Sequence, residues 1–183
     1  DHLDRSRAEV SGTLRVVADS AVHIMPALGR FRIAHPKVFV TMRTGNTPEV
    51  LQLLRDYEAE IGVVANPERS GDLDMVHLGA SPVIAIAAPG VLPRSLAALA
   101  LEDRARWPLV FREEGSRTRA LLQEAAARKG VRLAPAIEVE GREALREVVA
   151  SGAGIGFLSQ AEFGHDARLL AVPLAAAGIA MTE

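Results

Sequence analysis

The chain alternates between short apolar runs, typical of buried strands, and segments whose apolar residues recur at helical spacing. In the N-terminal third, this pattern predicts three strands separated by two helices. The predicted strands are 14–18, 38–42 and 61–65, and the predicted helices are 26–34 and one that begins at Thr47-Pro48-Glu49. Alternating strands and helices with short connections favour a mainly parallel sheet covered by helices.

A second series of the same kind follows. Two strand-like runs, 73–78 and 82–88, come first, without a helix between them. The second series then comprises strand 109–112, helix 116–129, strand 136–140, helix 142–151 and strand 155–158. Two such series predict two similar α/β lobes joined by crossover segments near 81–84 and near 172–174. A cleft between two lobes is a common small-ligand site.

The composition narrows the class of protein. The chain has 183 residues, of which 49% are hydrophobic and 24% charged, as in soluble globular proteins. It contains no cysteine, which excludes disulfides, thiolate metal sites and a cysteine nucleophile. The net charge of −2 argues against nucleic acid as the main partner of these residues. No apolar run is long enough to span a membrane, and no secretion signal opens the sequence.

The most informative motif is Phe111-Arg-Glu-Glu-Gly-Ser-Arg-Thr-Arg119, where a predicted strand turns at a glycine into a predicted helix. A helix N-terminus offers free N–H groups and partial positive charge to an anion, and Ser116 and Thr118 add hydroxyls. Arg117 and Arg119 oppose the helix dipole there, a cost that a bound anion would offset. The alternative is that Ser116 only caps the helix and the arginines face solvent.

Two further strand ends carry polar residues. Asp19 and Ser20 follow the first strand, and Gly45 and Asn46 follow the second. Ligands of open α/β sheets bind outside the C-terminal ends of the strands, so all four are candidate contacts. The alternative for Asp19 or Ser20 is a helix cap. Thr47 is predicted to cap the next helix, which leaves Gly45 and Asn46 as the better ligand candidates.

Glu140 and Arg142 occupy a similar place, between a predicted strand and a predicted helix. Arg142 would lie on the same side as Ser116, and the alternative is a surface ion pair with Glu138 or Glu143.

No other motif indicates catalysis. The five histidines show no metal-ligand spacing, and neither a nucleophile elbow nor a phosphate-binding loop is present. The glycines of Gly152-Ala-Gly-Ile-Gly156 lie between a helix and a strand, the reverse of the dinucleotide motif, so they indicate helix termination. The sequence therefore predicts no enzyme, no metal and no cofactor.

Four stretches, taken in order, resemble the effector-binding domain of LysR-type transcriptional regulators. They are GTLRVVADS with the following IMPALGRFRIAHPKVFVTMRTGN, then LGASPVIAIAAP, REEGSRTR and REALREVVASGAGIGFLS. The resemblance implies an α/β fold like that of type 2 periplasmic binding proteins, with two βαβ-based lobes and a ligand cleft between them. Lobe I would comprise 12–82 and 173–183, and lobe II 83–172. Residues 1–11 would end a linker from an N-terminal winged helix-turn-helix domain outside this chain.

The resemblance also implies a function. It describes a cytoplasmic sensor that binds a small effector, forms a homodimer or homotetramer, and contacts DNA through the N-terminal domain, without a membrane. The implied ligand contacts are Asp19, Ser20, Gly45, Asn46 and the stretch from Ser116 to Thr118. Family members often have a small hydroxyl residue where this chain has Gly141-Arg142, and this departure indicates a more anionic ligand.

Within the family, REEGSRTR together with EGREALREVVASGAGIGFLSQAEFG is similar to a subgroup associated with 2-aminoethylphosphonate catabolism. A phosphonate suits arginines, hydroxyls and a helix N-terminus, and an ammonium group suits Asp19 or Glu140. One alternative is a solute-binding protein of a transporter, which predicts a signal peptide and a monomer. Another is an enzyme of the same fold, similar to porphobilinogen deaminase or an aromatic dehydratase, which would need an acid, base or nucleophile in the cleft.

Overall fold

The computed structural model describes residues 10–68, 71–175 and 179–182. Its strands are β1 (Gly12–Ala18), β2 (Val38–Thr44), β3 (Ile61–Val63), β4 (Ala80–Ala87), β5 (Val110–Arg112), β6 (Ile137–Val139), β7 (Ile155–Ser159), β8 (Leu170–Pro173) and β9 (Ala180–Thr182). Its α-helices are α1 (Met25–Ala34), α2 (Thr47–Arg55), α3 (Arg117–Arg128), α4 (Arg142–Ala150) and α5 (Gln160–Phe163), with a 3₁₀ turn at Leu101–Arg106. Both predicted strand-and-helix series are confirmed.

The chain divides into two compact units, Asp1–Pro67 and Glu68–Glu183. The assignment of 12–82 with 173–183 to one lobe and 83–172 to the other stays a prediction. The predicted linker, residues 1–11, falls outside the described residues up to residue 9. Within the described ranges, none of the helices has the length and apolar character needed to cross a bilayer.

The first unit is built on a parallel sheet in the order β2-β1-β3. The last three residues of β1 are buried because β1 is the central strand. Helix α2 packs its fully buried Val50 against Val17 and Ala59. The prediction that Thr47 caps α2 is wrong, because Asn46 is the N-cap and forms a capping box with Glu49.

Helix α1 contrasts with α2 because none of its residues is buried. Met25 and Ile33 are 53% and 84% exposed, although both are large apolar side chains. Strand β2, next along the chain, pairs only with β1 among the described residues, and its Phe39 is also exposed. The described residues of the first unit therefore leave the apolar side chains of α1 and one edge of β2 uncovered.

The second unit centres on β4, which pairs antiparallel with β7, β8 and β9. Strands β5 and β6 form a separate parallel pair, and Leu109, just before β5, forms a parallel bridge to Ile155 of β7. Helix α4 supplies Leu145 and Val149 to the core between these strands. The members of this core are Ile84, Ile86, Val110, Leu145, Val149, Leu158 and Leu169.

The predicted strand 73–78 is wrong. Residues 73–79 form no strand or helix, and Met75, Val76 and Leu78 are exposed. The apolar residues there made a strand-like pattern, but no neighbouring strand pairs with them in the described chain. Helix α5 was not predicted because its four residues are too few for an apolar periodicity. The sequence predicts β8 only as a crossover segment near 172–174, and it predicts no strand at β9.

A cluster of ion pairs fastens α4 to the loop after α5. Arg168 donates to both oxygens of Glu147 at 2.9 Å and to Asp166 at 2.9 and 3.0 Å. Hydrogen bonds from Arg168 lower the pKa of Glu147, and they lower the pKa of Asp166 to about 2. Arg146 donates to the backbone carbonyls of Glu162 and Phe163. Helix α4 is thus tied through Arg146 to the end of α5 and through Glu147 and Arg168 to Asp166.

Candidate functional site

Asp19 lies at the end of β1 and is 3% exposed. Its Oδ2 accepts a hydrogen bond from Thr47 Oγ1 at 2.8 Å and one from the backbone N–H of Ala65 at 2.8 Å. The carboxylate thereby connects β1 to the start of α2 and to the chain just after β3. The structure gives Asp19 a bonding role inside the first unit, in addition to the predicted ligand role.

The other three candidate residues of this unit are Ser20, Gly45 and Asn46, and they differ in the hydrogen bonds that they make. Ser20 is buried, and its Oγ has no hydrogen-bond partner within residues 10–68, 71–175 and 179–182. Gly45 donates its N–H to the carbonyl of Ala18 at 3.1 Å, which brings the ends of β1 and β2 together. The Asn46 side chain is occupied by the α2 capping box, where Oδ1 accepts from the Glu49 N–H at 3.1 Å. Of these three, the Ser20 hydroxyl is the group left to meet a ligand.

In the second unit, the predicted anion site is at the start of α3. Ser116 is the N-cap residue in an extended conformation, but its side chain makes no capping hydrogen bond. It is 2% exposed, and no group among the described residues forms a hydrogen bond with its Oγ. Leaving a buried hydroxyl unpaired costs about 1–3 kcal/mol, so a polar group from outside the chain would be stabilised here. Ser116 therefore occupies the N-cap position without making a capping hydrogen bond, and its contact with a ligand stays a prediction.

Thr118 is also buried, but its Oγ1 donates to Met181 Sδ at 3.8 Å, a weak bond. Ser116 and Thr118 face a small cavity under the first turn of α3. Its lining residues are Val110, Phe111, Arg112, Ser116, Thr118, Arg119, Leu122 and Phe157. Polar side chains of β5 and α3 therefore line a cavity whose other lining residues are apolar.

Each arginine around the two helix starts has a carboxylate partner. The pairs are Arg112 with Glu113, Arg117 with Glu124, Arg119 with Glu138 and Arg142 with Glu162. Arg117 has the longest of these ion pairs, because its Nη1 lies 3.6 Å from an exposed Glu124. Among the described residues, neither its buried Nε nor that of Arg142 has a hydrogen-bond partner. Arg119 is tightly held, because it also donates to the carbonyl of Arg112 at 3.0 Å. Among the arginines of α3, Arg117 is therefore the one available to an anion.

Glu113 joins the two predicted helix starts. Its carboxylate accepts from the Arg112 guanidinium at 2.5 and 3.2 Å and from the backbone N–H of Gly141 at 3.1 Å. Burial acts to raise the pKa of Glu113, but the donors from Arg112 and Gly141 outweigh it and lower that pKa. Because β5 and β6 are parallel and in register at Arg112 and Val139, their C-terminal ends share one edge. The expectation that Arg142 lies on the same side as Ser116 agrees with this arrangement.

Arg142 is the first residue of α4, and Gly141 before it has a φ of +80°, a conformation that favours glycine. The predicted alternative for Arg142, an ion pair with Glu138 or Glu143, is wrong. Its partner is the buried Glu162 of α5. Glu140 is exposed at the end of β6.

Sequence reasoning missed Arg112, Glu113 and Glu162 as parts of this site. The Ser159-Gln-Ala-Glu162 sequence is a capping-box signature that could have located Glu162 at a helix start. Its contact with Arg142, like that between Glu113 and Gly141, depends on how strands align and leaves no local signal. Among the described residues, no group of three histidine or acidic side chains could hold a metal ion.

Comparison with known families decides the family. A sequence profile described as the LysR substrate binding domain matches residues 7–182. The chain belongs to this family. The resemblance found in the sequence is thereby confirmed at the level of the LysR effector-binding domain, which is a binding domain and not an enzyme.

The LysR domain has several relatives among curated proteins and solved structures. A protein of Anaeromyxobacter dehalogenans (strain 2CP-C), described as phosphonates import ATP-binding protein PhnC, is 32% identical over 86% of this chain and 32% of its own length. The uncharacterized HTH-type transcriptional regulator YeiE of Escherichia coli (strain K12) is 28% identical over 83% of this chain and 53% of its own. The chain thus spans between about a third and about half of these two relatives.

The structural comparison agrees with the family. The cofactor-binding domain of the Cbl transcriptional regulator superposes with a TM-score of 0.77 at 23% identity, over 95% of this chain and 79% of that chain. Such low identity establishes the fold alone. The prediction of a mixed α/β fold of the type 2 periplasmic-binding-protein class is confirmed.

Proposed function

We propose that this LysR domain is the effector sensor of a transcriptional regulator and that it binds a small anion at the starts of α3 and α4. The carrying observation is the Ser116 hydroxyl, which is buried at a helix N-terminus and has no hydrogen-bond partner in the described part of the chain. An oxyanion would accept from this hydroxyl and from the free N–H groups of the first turn of α3. Arg117, held only by an exposed glutamate, is placed to add charge.

Our best candidate for the anion is 2-aminoethylphosphonate or a related phosphonate. A phosphonate has three oxygens to accept from a hydroxyl, backbone N–H groups and arginines together. The Anaeromyxobacter relative, which is named for phosphonate import, supports this choice. For the ammonium group we propose Glu140, because the Asp19 carboxylate already accepts two hydrogen bonds. Binding between two lobes, with Asp19, Ser20, Gly45 and Asn46 as further contacts, stays a prediction.

The first test is calorimetry of this chain with 2-aminoethylphosphonate, using ethylphosphonate and ethanolamine as half-ligands. We expect micromolar binding of the whole molecule and much weaker binding of each half. Substituting Ser116, Arg117 or Arg142 with alanine should each weaken binding about tenfold to a hundredfold, since each removes a hydrogen bond to a charged group. Arg128→Ala, at the exposed far end of α3, is the matched control.

The outcomes separate the parts of this proposal. If Arg117→Ala and Arg142→Ala both left the affinity unchanged, the anion site would be wrongly placed. If none of the three compounds gave heat, the phosphonate would be excluded while the family membership stood, and carboxylates and sulfate would be tested next.

We propose further that the full protein is a cytoplasmic regulator that contacts DNA through a separate N-terminal domain. YeiE, about half of which this chain spans, is described as an HTH-type transcriptional regulator. That description favours a regulator over the alternative of a transporter's solute-binding protein.

We also propose that a second copy of the chain covers helix α1 and the edge of β2, forming the homodimer from which a homotetramer could be built. The bare apolar face of α1 supports this, since its Ile33 is 84% exposed. Sedimentation velocity should find a dimer for the wild type and a monomer for Ile33→Glu. Val76→Glu places the same charge at an 81% exposed position in the other unit and should stay dimeric. A dimeric Ile33→Glu variant would contradict this interface.

A further inference from the structure

Glu162 is a buried carboxylate whose position is fixed by its own helix. Its side chain is 2% exposed. Its Oε2 accepts from the backbone N–H of Ser159 at 3.1 Å, while its own N–H donates to Ser159 Oγ at 3.3 Å. This capping box at the start of α5 leaves the second oxygen, Oε1, free to meet a cation.

The cation that it meets is Arg142. The Nε of Arg142 lies against Glu162 Oε1 as an ion pair, although the two atoms form no hydrogen bond, and the Arg142 side chain is 19% exposed. Of the four carboxylates that pair with arginines around the helix starts, Glu162 is the most buried, compared with 20% exposure for Glu113 and 52% for Glu124. Water and salt screen a buried pair much less than an exposed one. Glu162 therefore competes for Arg142 more strongly than Glu124 competes for Arg117.

We propose that Glu162 is an internal counter-anion that occupies Arg142 and so limits the affinity of the domain for anionic effectors. This inference rests on the anion site proposed above. An effector that reaches α4 must draw Arg142 from a carboxylate that is held in place by α5, and breaking this pair subtracts from the binding free energy. Glu162 touches no effector and acts through Arg142, so it is a positioning residue.

The decisive variant is Glu162→Gln, measured by calorimetry with ethylphosphonate and inorganic phosphate. Glutamine keeps an oxygen that can accept from the Ser159 N–H, but it removes the charge that holds Arg142. We expect binding about tenfold tighter than in the wild type, because the anion no longer has to replace a charged partner. A residue with only a structural role would lower the affinity when altered, so a gain separates the two roles.

Two controls locate the effect. Glu147→Gln makes the same change of net charge on α4, but its partner is Arg168 on the outside of the helix, so its affinity should stay within about twofold of the wild type. In the double variant Arg142→Gln with Glu162→Gln, the gain should disappear, because it depends on Arg142.

The proposal is overturned if Glu162→Gln, folded by its melting curve, binds no more tightly than Glu147→Gln while the wild type binds ethylphosphonate; the anion site itself would then stand. If neither the wild type nor Glu162→Gln binds either compound, the counter-anion proposal fails together with the choice of a phosphonate or phosphate as the anion. Should Glu162→Gln not fold, nuclear magnetic resonance of the wild type decides. The Nε–H signal of Arg142, assigned with Arg142→Lys, should shift as ethylphosphonate saturates the domain, and an unmoved signal would overturn the proposal.

Discussion

Replacing Gly154 with alanine is expected to lower the free energy of unfolding of the second unit by about 3 kcal/mol or more. A Cβ on Gly154 would overlap the carbonyl oxygen of Pro108 and lie 3.1 Å from its carbonyl carbon. This neighbour is backbone, so it cannot turn aside as a side chain would. It also cannot withdraw cheaply, because the same oxygen accepts from the Ile155 N–H at 2.9 Å, where the chain enters β7 beside β5.

Urea unfolding followed by the fluorescence of Trp107, the single tryptophan and the neighbour of Pro108, measures this effect directly. Gly29→Ala is the matched control. Nothing lies within 4 Å of its added Cβ, and alanine is favoured over glycine in a helix by about 1 kcal/mol, so α1 should be unharmed or stabilised. A Gly154→Ala variant within about 1 kcal/mol of the wild type would mean that the approach of Pro108 is not a constraint.

Replacing Asp19 with alanine is expected to destabilise the first unit by about 3 kcal/mol, since hydrogen bonds to a charged group contribute about 1.5–3 kcal/mol each. The variant would leave the Ala65 N–H and the Thr47 hydroxyl without the carboxylate that they share. Because Ala65 is fully buried, water does not replace the lost acceptor at its N–H without opening the end of the sheet.

Thermal unfolding by circular dichroism checks this prediction. Asp56→Ala is the control, because the Asp56 carboxylate is exposed at the C-cap of α2 and accepts, among the described residues, only from the Gln52 side chain, at 2.9 Å. Its loss should cost no more than about 0.5 kcal/mol. If Asp19→Ala had the melting temperature of the wild type but no longer bound an effector, Asp19 would contact the ligand without stabilising the fold.

The sequence predicted the central elements because their signals are local. The apolar run ending in Val16, Val17 and Ala18 became the buried centre of the first sheet, and the turn before Ser116 began α3 as expected. The apolar pattern gave a wrong prediction at 73–78, where forming a buried strand would require a partner strand that is distant in sequence. Met75 and Val76 are as apolar as strand residues, yet no strand among the described residues pairs with them.

The candidate site was predictable in its parts and not in its connections. Ser116, Arg117 and Arg142 were identified because hydroxyls and arginines at helix starts are visible in sequence. The contacts that these elements make with residues distant in sequence could not be predicted. Glu113 reaches Gly141 only because β5 and β6 are in register, and Glu162 reaches Arg142 only because α5 follows β7. Contacts made by aligned strands carry no periodicity along the chain.

The Glu113 bridge has a consequence for how an effector would be selected. By accepting from the N–H of Gly141 and from the guanidinium of Arg112 at once, Glu113 ties the loop before α3 to the loop before α4. The entropy of ordering those loops is then lost before any ligand arrives and does not reduce the affinity. A fixed spacing would also select effectors by the distance between their polar groups. A molecule one methylene longer would bind more weakly, because the loops would not move to accommodate it.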